Sequence, residues 1–96
     1  MTLNELQLEQ RERILEAAAR HGAQNVRVFG SVARGRESAG SDVDFLVDLA
    51  PDRTLMDLGG LQMDLQDLLG GSVDVATEDL LRPEIRREVL RQAVAL

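Results

Sequence analysis

Residues Phe29 to Leu49 read F-G-S-V-A-R-G-R-E-S-A-G-S-D-V-D-F-L-V-D-L. Asp42 and Asp44 stand two apart at the start of an apolar run, and strand alternation puts both on one face. Val43, Phe45, Val47 and Leu49 take the opposite face and are all apolar, so that face is the core side. The carboxylate face is then the open one, because two unpaired buried carboxylates would be very costly. Just upstream, Val26 to Phe29 alternates as a shorter strand. Gly30-Ser31 ends that strand, and a short helix is expected to follow. A strand, a glycine and a helix start together favour an anion, through free backbone N–H groups and the helix dipole. Gly30 lets the backbone approach a phosphate without a Cβ in the way. The Ser31 hydroxyl can cap the helix and donate a further hydrogen bond.

Outward from this stretch the chain alternates helices and strands. Thr2 and Glu5 have capping-box spacing, and Leu3, Leu6, Leu8, Ile14, Leu15, Ala18 and Ala19 recur at helical period up to His21-Gly22. Thr54 can cap a helix whose apolar face is Leu55, Leu58, Leu61, Leu65 and Leu68, ended by Gly70-Gly71. Gly59 and Gly60 lie inside that helix, each costing ~1 kcal/mol relative to alanine. Either the helix breaks there or something packs very close. Val73-Asp74-Val75 reads as a third strand and Thr77 as the cap of a short turn. Pro83 starts a last helix with Ile85, Val89, Ala93 and Leu96 on one face. The order predicts an α+β fold, a small mixed sheet of about three strands with helices packed on one face.

Asp74 lies between two valines that must face the core, so it points to the other face. If its strand lies beside the second one, Asp74 joins Asp42 and Asp44. Two carboxylates side by side repel each other, and a bound cation removes that repulsion. Hard oxygen ligands of this kind suit Mg²⁺, and three carboxylates on adjacent strands can serve two ions ~3.5–4 Å apart.

Composition narrows the classes. A chain of 96 residues suits one small domain. Apolar residues make up 44% and aromatics only 2%, so the core must be aliphatic. There is no cysteine, hence no disulfide and no thiolate metal site, which fits a reducing cytoplasm. No apolar run approaches the ~20 residues that cross a membrane, and the acidic start of the chain is unlike a signal peptide. The net charge of -6 argues against direct nucleic-acid binding and suits divalent cations or a basic partner. All 11 basic residues are arginine, so any basic side chain on a phosphate is an arginine.

Taken together, Gly30-Ser31, Asp42-x-Asp44 and a later strand aspartate resemble the signature of DNA polymerase β-type nucleotidyltransferases. The fuller pattern G-S-x-A-R-G-x(5)-S-D-x-D matches Gly30, Ser31, Ala33, Arg34, Gly35, Ser41, Asp42 and Asp44. That pattern is similar to the minimal nucleotidyltransferase antitoxins, and the resemblance covers residues 1–96 as one domain. It implies that Gly30 and Ser31 hold the triphosphate, with Arg34 near the phosphates. It implies that Asp42, Asp44 and Asp74 are catalytic and bind two Mg²⁺ ions, Asp74 assisting deprotonation of the acceptor. It also implies ATP as substrate, a HEPN-domain ribonuclease toxin as partner in a hetero-oligomer, and AMP transfer to a toxin hydroxyl, tyrosine first.

Larger members carry extra domains that grip the acceptor, so the acceptor here is expected from a partner or another subunit. With no tyrosine, the chain cannot modify itself on one. The HEPN ribonuclease motif, arginine and histidine four to six residues apart, is absent, so within such a pair the resemblance implies the antitoxin and not the toxin. The alternative is an antitoxin that neutralises its partner by covering it. Transfer to an aminoglycoside or to tRNA is disfavoured by the missing acceptor domain and by the negative charge. His21 reads as a helix-end cap and Asp48 as a solvent-edge residue. Arg82, Arg86, Arg87 and Arg91 read as a solvated face, and Glu37 with Ser38 as a mobile loop.

Overall fold

A computed structural model describes residues 1–36 and 42–96. Glu37 and Ser38, expected in a loop, and Ser41 of the motif lie outside the described residues. The elements run α1 (Leu3–Leu8), α2 (Arg11–Arg20), β1 (Ala23–Phe29), α3 (Gly30–Ala33), β2 (Val43–Leu49), α4 (Leu55–Leu69), β3 (Val73–Ala76), a 3₁₀ turn (Glu78–Leu80), α5 (Pro83–Gln92) and β4 (Val94–Ala95). The four strands form one sheet in the order β3-β2-β1-β4. β2 runs parallel to β3 and antiparallel to β1, so the sheet is mixed. The sequence led us to expect about three strands. The fourth is two residues long and pairs Val94 with Val28 on the free edge of β1, too short to leave a periodic signature.

Local chemistry accounts for most boundaries. The Thr2 hydroxyl accepts from the Glu5 backbone N–H at 3.2 Å, capping α1. The single N-terminal helix expected from the period breaks after Leu8, whose side chain is exposed rather than part of the core. Thr54 and Asp57 form a capping box on α4. Gly70 closes α4 in the left-handed conformation, φ 73°. Pro83 takes the first turn of α5.

The main core lies between one sheet face and helices α1, α2 and α4. Val28, Val43, Phe45, Val47, Val73 and Val75 meet Leu6, Ile14, Leu58, Leu61 and Leu65 there. Leu55, expected on the same stripe, is 66% exposed. The other sheet face is mostly open, and α5 covers a patch of it. Leu46, Leu81 and Val89 are buried together there against Phe29, Ala76 and Ala93. Ile85 of α5 stays exposed.

The glycine pair does not break α4. A Cβ on Gly60 would lie 2.8 Å from Cε1 of His21, so close packing is the reason at that position. His21 ends α2, as expected of a cap, and its Nε2 meets Asp64 Oδ2 at 2.6 Å, tying α2 to α4. Gly59 has nothing within 4 Å of such a Cβ.

Candidate active site

The site forms where β1 ends and β2 and β3 begin. Phe29, the last residue of β1, pairs in register with Asp44 of β2, and Asp44 pairs in register with Asp74 of β3. Residues in register point to the same side of a sheet, and neighbouring strands lie ~4.8 Å apart. Asp74 therefore does join Asp44 on the open face, because β3 lies beside β2. Asp42 is exposed just ahead of β2, near enough for its charge to act on Asp44.

Gly30 is required twice over. Its φ is 75°, in the left-handed region that side chains avoid. A Cβ there would collide with the Asp44 carboxylate and lie 3.2 Å from its Cγ. The turn after β1 thus sits directly against the central carboxylate, with room for backbone only. α3 begins at Gly30 itself, and its N-cap is Phe29, without a side-chain cap. Ser31 therefore lies inside the first turn rather than capping it. With only four residues in α3, the helix dipole is small, and any anion affinity comes from the first N–H groups and the Ser31 hydroxyl.

Electrostatics single out Asp44. Its pKa is pushed up from 3.8 to about 6, first by burial, then by the negative charges of Asp74 and Asp42, while Arg34 pulls it down. Arg34 ends α3 and reaches across to α5, where its Nη1 donates to Gln92 Oε1 at 3.1 Å. Gln92 Nε2 in turn donates to Glu88 Oε1 at 2.7 Å. This tether was not visible in the sequence, where Arg34 and Gln92 are 58 residues apart. Beside it a cleft of about 440 Å³ opens between Phe29, Gly30 and Arg34 on one side and Ile85, Glu88 and Gln92 on the other.

Asp48 belongs elsewhere, as the sequence suggested. Leu46 separates it from the site, and Asp48 pairs with Arg27 at 3.0 Å and accepts from Asn25 Nδ2. Among the described residues, no group of three or more His, Cys, Asp or Glu side chains is gathered closely enough to hold a metal on its own. A preformed three-carboxylate centre is thus not seen. The donor set still fits a hard cation. Its oxygens are all carboxylate, Asp44 carries the repulsion of two neighbours, and Mg²⁺ commonly takes one or two carboxylates and completes its shell with water and substrate phosphate.

Residues 11–96 match the model of the nucleotidyltransferase domain. The chain belongs to that family. Protein adenylyltransferase MntA of Thermococcus cleftensis is 38% identical to this nucleotidyltransferase, over 93% of the chain and 95% of the relative. A Methanocaldococcus jannaschii protein provisionally named protein adenylyltransferase MJ0435 is 33% identical, over 98% of the chain and 97% of the relative. A solved structure provisionally named a minimal nucleotidyltransferase superposes with a TM-score of 0.86 at 48% identity, covering 100% of this chain and 97% of that one. The same fold recurs in a toxin–antitoxin structure with AMP-PNP, with a TM-score of 0.74 at 21% identity, covering 88% of this chain and 69% of that one. Among the described residues, no helix of this nucleotidyltransferase is long and apolar enough to cross a membrane.

Proposed function

We propose that this nucleotidyltransferase moves AMP from ATP onto a hydroxyl, tyrosine first, of a HEPN toxin with which it assembles, and so acts as its antitoxin. The observation that carries the reading is the placement of Asp44. It lies in register with Asp74, against a glycine turn that only backbone can occupy. A carboxylate raised to about 6, by burial first and then by the charges of Asp74 and Asp42, is costly to keep unless charge is to be bound there. The 38% identity to a protein adenylyltransferase supports the acceptor class.

In this reading Gly30 and Ser31 hold the triphosphate through backbone N–H groups and a hydroxyl, and Arg34, steadied by Gln92, faces the phosphates. Asp42, Asp44 and Asp74 would hold two Mg²⁺ ions, which when bound neutralise charge on the α-phosphate and the leaving pyrophosphate. The acceptor oxygen approaches from the β3 side. Its bond to the α-phosphorus forms as the bond to the β-phosphate oxygen breaks, and its proton passes to an oxygen of Asp74. Positioning and charge stabilisation supply the rate. Residues 1–96 act as one catalytic unit in a cytoplasmic protein, with the acceptor brought by the partner.

Intact-mass spectrometry of the toxin after incubation with this chain, ATP and Mg²⁺ tests the proposal. One or more AMP units, absent with Asp42→Asn/Asp44→Asn, are expected. A bound toxin that gains no mass would leave neutralisation by covering as the function.

A further inference from the structure

Helix α4 is apolar on two opposite faces. Leu58, Leu61 and Leu65 fill the core. On the other side, Leu55, Met56, Gly59 and Met63 fall within about 100° of arc at about 100° per residue. The three side chains among them are 66%, 87% and 66% exposed. A contiguous exposed apolar patch ordinarily marks an interaction surface, and among the described residues these side chains are left open to water. Gly59 adds an independent sign. A glycine inside a helix is destabilising relative to alanine, and a Cβ at Gly59 would meet nothing within 4 Å. Gly60 is explained by His21, whereas no neighbour among the described residues accounts for Gly59. A glycine between two exposed methionines lets another backbone come close.

The arc runs on at its N-terminal end into a groove of about 650 Å³, lined by Leu55 and by Leu80, itself 50% exposed. Charge around this surface has one dominant sign. α4 carries Asp57, Asp64 and Asp67 and no basic residue. Asp48, Glu78 and Asp79 line the groove, with Arg53 as its one basic lining residue. Arg27 pairs with both Asp48 and Glu78, Arg53 with Asp57, and Asp64 with His21 and Arg20, which leaves the rim acidic on balance through Asp67, Asp79 and the carboxylate pair that shares Arg27. A second copy would bring the same carboxylates against themselves. The surface lies toward the far end of β2 from Asp44, so an occupant leaves the carboxylates open.

We infer that the outer face of α4 and the adjoining groove dock an amphipathic helix of another protein, with apolar side chains on Met56, Gly59 and Met63 and flanking arginines or lysines against the acidic rim. The inference goes beyond the transfer reading and stands or falls separately from it, because its readout is binding.

The test is a titration of the isotope-labelled full chain with two synthetic amphipathic helical peptides. One carries leucines on one face and arginines on the other; the second has glutamates in place of the arginines. The arginine peptide is expected to bind and to move amide signals from Leu55 to Met63 and from Thr77 to Leu80. Met56→Ser/Met63→Ser should weaken it about tenfold or more, while Gly59→Ala should raise the melting temperature of the free chain and weaken the peptide. Any of three outcomes overturns the inference: shifts gathered at Asp42, Asp44 and Asp74 instead, equal binding of the glutamate peptide, or an unchanged affinity in the serine variant. Dilution-dependent shifts in the same amides without peptide would make a second copy the occupant, and would overturn it too.

Discussion

Two part-exposed aspartates on this small chain are treated in opposite ways. Asp64 on α4 meets His21 at 2.6 Å, with Arg20 at 3.7 Å, and the His21 contact first of all holds its carboxyl below the usual range. Asp44 is pushed up to about 6, first by burial and then by the charges of Asp74 and Asp42, with Arg34 pulling the other way. Each is served by a glycine that clears space, Gly60 for the His21 ring and Gly30 for the Asp44 carboxylate. The difference teaches where the fold is spent. At α2 and α4 charge is matched for stability, while at the head of β2 negative charge is gathered with only Arg34 set against it.

The largest effect should come from emptying the unmatched site. Asp42→Asn/Asp44→Asn is expected to lower AMP transfer by on the order of 10³-fold or more, by removing charge aimed at the transition state. The same change should raise the urea midpoint of the free protein, since the repulsion at Asp44 disappears. A variant that loses both activity and stability would break the comparison. Next come the two glycines. Gly30→Ala should cost at least about 1–2 kcal/mol from the left-handed backbone alone, and should lower activity because Asp44 must move. Gly60→Ala is expected to cost about 1–3 kcal/mol through displacement of His21, with transfer unchanged. Equal effects on transfer would show that the two carboxylates are not functionally separate.

Much of this was legible in the residues. The alternation from Val43 to Leu49 placed β2 without error, and the spacing of Asp42 and Asp44 put them on the open face, because period-two geometry is local. The partnership of Asp44 with Asp74 was conditional on β3 lying beside β2, a matter of topology that no local pattern decides. β4 and the break between α1 and α2 were missed for a related reason. Two residues carry no period, and Leu8 keeps the helical pattern while facing water. Arg34 was expected near the phosphates only through the family resemblance, and its tether to Gln92 left no mark in the sequence, since α5 reaches it only through the tertiary fold. Ser31 was read as a cap, and the positive φ of Gly30 instead starts the helix one residue earlier.

The pH dependence of stability separates the two aspartates by sign. Asp44 has a folded pKa above its unfolded one, so the native state binds the proton more tightly. Its contribution is favourable below about pH 4 and is lost as pH rises toward 6. Allowing for water around a part-exposed group, the loss should be about 1–2 kcal/mol. For Asp64 the folded pKa is the lower one. Its contribution is present above the unfolded pKa and lost as pH falls through the folded one. Urea midpoints across this range should therefore flatten on the high-pH side in Asp44→Asn and on the low-pH side in Asp64→Asn.

The smallest expected effect probes the one favourable charge that Asp44 has. Gln92→Ala removes the acceptor 3.1 Å from Arg34 Nη1 and frees the guanidinium from α5. If Arg34 binds the phosphates equally in the ground and transition states, its looser placement should raise KM for ATP several-fold and leave kcat nearly unchanged. Asp44 reports the same event independently, because Arg34 lowers its pKa. A guanidinium that swings away lets that pKa climb, and one that swings inward brings it down. A KM change without a matching move in the Asp44 titration would assign Gln92 to the nucleotide itself and leave Arg34 where it stands.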